Sequence, residues 1–371
     1  MDGSEVRKIQ FTGKSTFVLS LPKKWVNELN LKAGDPVTII REPNNTLSII
    51  SDITRSSIEA VDEATVQVLK DEGANSLKRK IVSMYLAGYN IINLKSRFGR
   101  INPVQREGAR EVVRRNLVGT EIIADSSDLI TIQVLITLPE LSVNTAVRRM
   151  FLLATSMHRD AMTALSELNS ELAHAIIRSD DEVDRFSLYI LRNLVIATKN
   201  ERILNDVGLK KTSDCLSYRL AVKSIERIAD HASKFAEKSL SIKEKIPEEI
   251  LHNIKKMSDL SLQDLNDSVE AFLRRDYLMA DKIVDRKENV QILEDTIISL
   301  LDNTDHGKFN QYKIFIKLLL EDLRRTAEHA SDIAEEALNQ TIGEVINIEK
   351  RPLHYRTRYK INFDTLKTIK K

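Results

Sequence analysis

Two groups of positive side chains stand out in this sequence by type and spacing. The first is Arg7, Lys8, Lys14, Lys23 and Lys24, five cations within the first fifty residues. Grouped ammonium and guanidinium ions attract a phosphate backbone and displace its counterions, with little regard for base sequence. Asp2, Glu5, Glu28, Asp35 and Glu42 nearly offset that charge, so an ordinary solvated surface is the competing reading. The second group is Lys78, Arg79, Lys80, Lys95, Arg97, Arg100, Arg106, Arg110, Arg114 and Arg115, opposed between residues 75 and 120 only by Glu107 and Glu111. Arg106, Arg110 and Arg114 recur every fourth residue and make one stripe of a helix. The stripe suits a second nucleic-acid surface, an acidic partner or another part of the same chain. Tyr89 and Phe98 are too sparse for a platform on which single-stranded bases would stack.

Catalytic patterns are missing. There is no phosphate-cradling glycine loop, no HExxH and no GxSxG. No carboxylate is singled out as an acid with a base opposite it, so the chain reads as a non-enzyme. A lone Cys215 rules out a disulfide scaffold, a zinc finger and a CxxC redox pair, and fits a reducing cytoplasm. No apolar run reaches the 18 or so residues of a membrane span, and the opening MDGSEVRKIQ lacks a signal core.

The elements that position these residues follow from periodicity. Charged residues make up 30% and aromatics 5%, with 11 Gly and 7 Pro in 371 residues, so long helices should dominate a multidomain, mainly α chain. Net charge is only +2, which excludes a histone-like or acidic-tail protein but leaves room for local patches. Residues 1–52 alternate in short apolar runs around Gly34-Asp35-Pro36 and Pro43-Asn44-Asn45, with one small helix from Pro22 to Leu29. A module this small cannot bury an adequate core, and without metal ligands or disulfides its remedy is pairing with a second copy. Residues 53–141 mix strand-like runs (89–95, 120–125 and 129–137) with a helix opened by Asn102-Pro103 and closed by Gly119.

From Asn144 to about Gln340 apolar residues recur at three- and four-residue steps, interrupted near the middle by Pro247. This stretch repeats itself. IERIADHASKFAEKSL (225–240) and LRRTAEHASDIAEEAL (323–338) agree at eight of sixteen positions. An upstream echo relates Asp160, Ala164, Ala173, Ile176 and Val183 to Asp267, Ala271, Ala280, Ile283 and Val290. Two tandem units of three helices each, 142–244 and 245–340, are expected. The basic tail 341–371 loses the period and holds a short strand near Tyr359–Phe363.

Two family resemblances can be stated on these residues. The run VRKIQFTGKSTFVLSLPKKWVNELNLKAGDPVTIIREPNNTLSI resembles the AbrB/MazE/SpoVT swapped-hairpin family, through Gly13-Lys14, Leu21-Pro22, Leu31 and Gly34-Asp35. That implies two chains interleaved into one barrel that docks on double-stranded DNA, with contacts at Arg7, Lys8 and Lys14. The family's late-helix arginines fall here near Val26 and Asn27, so contact shifts to Lys23 and Lys24. Lysine neutralises phosphate but lacks the bidentate fork for guanine, so backbone and shape readout are expected.

The helical repeat, with RSDDEVDRF at 178–186, is similar to the PhoU family. The resemblance implies carboxylates at i and i+4 sharing a divalent or iron-type metal. Glu226 and Asp230 keep that spacing; the second copy has Arg324 and Glu328, and the facing positions are Ser187 and Leu191, then Glu294 and Ile298. The candidate ligands are therefore Glu226, Asp230, Glu294 and Glu328, few for calcium or zinc, and Arg324 can take a lost cation's place. His231 and His329 read as packed or surface residues, and Asp180, Asp181 and Asp184 as a solvated helix start. The function implied is a homodimeric DNA-binding regulator of phosphate uptake. The alternatives are an adaptor that inhibits a phosphate transporter's ATPase subunit or a sensor kinase without touching DNA, and a metal-binding bundle.

Overall fold

In the computed structural model the described residues are 5–13, 15–41, 46–51, 63–97, 99–136, 141–199, 201–303, 305, 307–348 and 359–361. They divide into two compact units, Met1–Asp62 and Glu63–Lys371. In the first, β1 (Gln10–Thr12) and β2 (Thr16–Val18) form an antiparallel hairpin turned at Gly13, whose φ of +67° lies in the left-handed region that glycine tolerates. Helix α1 (Lys23–Glu28) starts after Pro22, whose ring sets the entering φ. A turn in which the Asp35 carboxylate accepts from the Lys32 amide at 2.7 Å leads to the hairpin β3 (Val37–Arg41) and β4 (Leu47–Ser51). Among the residues of this unit whose exposure is described, only Pro22 is buried. Phe17 is 70% and Ile39 62% exposed, and Phe11, Leu21 and Leu47 are exposed as well. The alternation is that of strands with one apolar face, and among the described residues no core covers that face.

The second unit opens with an α/β layer: β5 (Glu63–Val68), α2 (Ala74–Ala87), β6 (Ile91–Ser96), α3 (Pro103–Arg115), β7 (Thr120–Asp125) and β8 (Leu129–Val134). The sheet order is β5-β6-β8-β7, with β5 parallel to β6 and the other pairs antiparallel. Leu77, Ile81 and Tyr85 of α2 and Ala109, Val112 and Val113 of α3 pack on Ile92, Leu94, Ile130 and Ile132 of the sheet. Asn102 caps α3 in a full capping box with Gln105. The buried Gln105 amide also donates to the Leu69 and Glu72 carbonyls at 2.9 and 2.7 Å, tying the β5–α2 loop to α3.

From Val143 to Val345 the chain is mainly helical: α4 (Val143–Glu167), α5 (Ser170–Lys199), α6 (Glu201–Asp206), α7 (Asp214–Ser239), α8 (Glu248–Arg274), α9 (Tyr277–Val284), α10 (Lys287–Asn303) and α11 (Lys313–Val345). Beyond it β9 (Ile346–Ile348) pairs antiparallel with β10 (Tyr359–Ile361), the strand expected in the basic tail. The two expected units of three long helical segments are present, with shorter departures. In the first unit the short α6 intervenes before α7. In the second, the counterpart of α5 is broken at Asp285–Arg286 into α9 and α10. Arg286 reaches Asp267 at 2.5 Å and lies 3.6 Å from Asp264, anchoring the break.

One continuous apolar core runs through both repeats. The long helices α7 and α11 meet antiparallel, Lys238 near the end of α7 donating to the Leu318 carbonyl near the start of α11. Ala229, Ala232 and Ala236 on one, and Ala327, Ala330 and Ala334 on the other, are buried there. The repeat-equivalent rings of His231 and His329 stack with centroids 5.8 Å apart. Asp322 accepts from His231 at 3.0 Å and from Lys238 at 2.7 Å.

The α/β layer is fastened to the bundle by one buried guanidinium. Helix α2 ends at Gly88 in the left-handed conformation (φ +101°), where the Gly88 and Tyr89 amides donate to the Tyr85 and Met84 carbonyls and side chains complete the end. Arg192 of α5 donates to the Tyr85 carbonyl, to the Gly88 carbonyl at 3.1 Å and to the Asn90 side chain at 2.7 Å. Lys199 donates to the Ala87 carbonyl at 2.9 Å. Cations are thereby placed at the negative end of the α2 dipole.

Candidate functional site

The N-terminal basic residues are placed unevenly. Arg7 donates to Glu5 at 2.9 Å, whereas Lys8, Lys23 and Lys24 are exposed and have no acidic partner among the described residues. Lys23 and Lys24 form the first turn of α1. Lys14, Asp2 and Glu42 lie outside the described residues.

The middle stripe is largely consumed inside the α/β layer. Arg106 and Arg110 both pair with Asp125 on β7, Arg110 at 2.8 Å, and Arg106 also donates to the Ser126 carbonyl at 2.7 Å. Lys78 pairs with Glu111, and Lys80 lies 2.8 Å from Glu72. Two of these partners, Glu72 and Asp125, sit just outside the run that looked so basic. Arg114 has no such partner among the described residues.

The helical repeat holds the second candidate. Asp180 and Asp184 are one turn apart on α5, and Glu226 and Asp230 one turn apart on α7. The expectation that Asp180, Asp181 and Asp184 form a solvated helix start is corrected. The helix begins at Ser170, and Asp180 and Asp184 lie in its interior, half-buried, where they feel Glu226 and Asp230. Burial first, and then repulsion from these neighbours, pushes Asp180 up to about 7 and Asp184 up to about 6. Ser187 does face Glu226, its hydroxyl 3.4 Å from the carboxylate, and Lys223 lies 2.5 Å from the same side chain. The donors are all oxygens, the type a hard cation prefers. Among the described residues, however, no group of three Asp, Glu, His or Cys side chains is arranged to hold a metal. The residues as placed do not fit an ion.

The second repeat meets the same position differently. Arg324 stands where Glu226 stands in the first, with its Nε 3.0 Å from Glu294 and a second contact to Glu328. The Glu294 contact is an ion pair rather than an aligned hydrogen bond, since Glu294 Oε2 is buried without a hydrogen-bond donor. Burial raises the Glu294 carboxyl, and Arg324 opposes that rise. Arg325 adds a contact to Glu328 at 2.9 Å. The repeat is therefore electrostatically lopsided: anionic in the first copy, neutralised by its own guanidinium in the second.

The PhoU domain family matches residues 147–239 and 254–337, and the MazE family of antidote–toxin recognition domains matches residues 10–52. This chain carries PhoU domains behind a MazE-type module. Among its relatives is a phosphate-specific transport system accessory protein PhoU homolog of Thermotoga maritima, 26% identical over 52% of this chain and 82% of that protein. A homolog of the same description from Clostridium acetobutylicum is 23% identical over 54% of this chain and 91% of its own length. The crystal structure of PhoU from Pseudomonas aeruginosa overlays on 54% of this chain and 96% of its own, at 22% identity and a TM-score of 0.48. That of the phosphate transport system regulatory protein PhoU from Streptococcus pneumoniae covers 55% and 96%, at 23% identity and a TM-score of 0.47. The PhoU match begins after the α/β layer and the MazE match ends before it, so residues 63–136 lie between the two matched regions.

Asp180 and Asp184 read as solvated in the sequence, and Arg192 does not stand out there at all. Asp180 and Asp184 carried a usable signal, because they repeat the i,i+4 spacing of Glu226 and Asp230. Arg192 carried none, since its acceptors are backbone carbonyls more than a hundred residues away.

Proposed function

We propose that this protein is a dimeric, cytoplasmic, DNA-binding regulator of phosphate uptake. The MazE-type module grips the duplex and the PhoU domains relay phosphate status. The observation that carries this reading is the N-terminal unit itself. Its strands leave an apolar face uncovered, as a chain built to interleave with a second copy would, and Lys8, Lys23 and Lys24 project without acidic partners. Pairing two chains buries the apolar face and doubles the cations on one side. Contacts of this kind go to phosphates, so affinity falls steeply with salt. The cytoplasmic placement is supported by a single buried Cys215 and by the absence, among the described residues, of a helix long and apolar enough to cross a membrane.

The test is a gel shift with the chain's own upstream DNA at rising salt, alongside a Lys23→Glu/Lys24→Glu variant. Binding that disappears in the variant and weakens with salt supports the proposal; no shift at low salt overturns it. A second reading, an adaptor that restrains a phosphate transporter's ATPase subunit or a sensor kinase, is favoured by the accessory-protein description of the relatives. It expects no shift at any salt, and co-purification of the full chain with transporter components.

A further inference from the structure

A cleft of about 420 Å³ opens where the α/β layer meets the bundle. Its walls combine two kinds of surface. Leu117, Leu135 and Ile136 are apolar, and Leu135 is half exposed. Arg114, from the last turn of α3, and Arg185, from α5, bring two guanidinium groups. Neither has an ion-pair partner among the described residues, and the Nε of Arg185 is buried without an acceptor. Glu121 is the one carboxylate in the wall.

A buried guanidinium donor left unpaired is destabilising, a cost that a bound acceptor removes. Guanidinium forks match the oxygens of phosphate bidentately. Two of them balance the double charge of a phosphate monoester. The volume falls within the range of small-molecule pockets, roughly 300–1,000 Å³, and exceeds what orthophosphate fills. The apolar wall serves an organic body, and Glu121 can accept from its hydroxyl or amino groups. The geometry points to this cleft as the binding site of an organic phosphate monoester of nucleotide size, held by Arg114 and Arg185. The site is independent of the DNA-binding reading. Its position beside the α/β–bundle junction lets a bound ligand bias how firmly the two layers hold together.

The test is titration calorimetry on the full chain with adenosine 5′-monophosphate, phenyl phosphate, inorganic phosphate and adenosine. One molecule of an organic phosphate should bind per chain, with inorganic phosphate and adenosine each weaker by roughly tenfold or more. Arg114→Gln, on an exposed side chain, and Arg185→Gln should each weaken binding by about tenfold or more. Thermal melts confirm that each variant folds, and Arg114→Gln decides the matter should Arg185→Gln not fold. A tryptophan placed by Leu135→Trp should change its emission on binding. No organic-phosphate binding up to about 10 mM, where even a millimolar site would fill, overturns the inference. So does affinity unchanged by both arginine variants, or equal affinity for inorganic phosphate or adenosine.

Discussion

Asp180 and Asp184 sit one helical turn apart, half-buried, with the Glu226 and Asp230 carboxylates close enough to raise them. Their folded-state values, about 7 and about 6, lie above the ordinary carboxylate value of 3.8. The sign of the consequence is fixed. Below the ordinary value both groups are protonated in either state and the groove costs nothing. As pH rises from that value to about 7 the unfolded chain ionises ahead of the folded one, and stability is lost progressively until both groups are charged in either state. Asp180→Asn should therefore raise the melting temperature at pH 8 and leave it unchanged near pH 4. The gain should be about 1 kcal/mol, since solvent reaches these groups and screens the repulsion. A pH series of thermal melts checks this, and an equal gain at both ends would refute the assignment. In the second repeat the opposite change is instructive. Arg324→Met leaves Glu294 buried and unpaired and should cost about 3 kcal/mol in denaturant unfolding. Adding Glu294→Gln to the same chain should recover most of that loss.

Helix α2 shows how an element depends on a distant neighbour. Its C-terminal carbonyls are completed by Arg192 and Lys199, both of the long α5. Arg192→Ala should destabilise the α/β layer by about 2–3 kcal/mol, because several charge-assisted bonds are lost and their carbonyl acceptors are left half-buried. Amide exchange should accelerate at 85–92 far more than within α7 and α11, whose core is untouched. Uniform acceleration along the chain would show that Arg192 supports the whole unit and not this joint. The break between α9 and α10 is a matter of the same scale. The apolar period continues across it, and it takes Arg286 reaching back to Asp264 and Asp267 to show where the helix turns.

For the whole molecule, the uncovered strands of the N-terminal unit make oligomerisation measurable. Ile39 is 62% exposed in the single chain, so Ile39→Glu costs almost nothing there, yet buries a charge in any interleaved pair. Light scattering should find dimers in the parent protein and monomers in the variant, while the helical signal and the melting of the PhoU domains stay the same. Dimers that survive the substitution would place the interface elsewhere. The lopsided repeat also belongs at this scale. One copy keeps a field of carboxylates and the other supplies its own cation, so the two PhoU domains offer different surfaces to a partner despite a shared fold.

Much of this was legible beforehand because it is local. Proline and glycine punctuation, a capping residue before a helix and apolar residues at steps of three and four act over a few neighbours. They marked Asn102, the long helices and the duplicated His-Ala-Ser segment without any tertiary information. The resemblance to two families rested on equally short runs. Charge was the part that local reading could not settle. An ionic group is defined by what stands within a few ångströms, whatever the separation along the chain. Only the folded chain turned Arg106 and Arg110 toward Asp125, set Asp180 and Asp184 in the field of Glu226 and Asp230, put Arg324 between Glu294 and Glu328, and left Arg114 and Arg185 facing an open cleft.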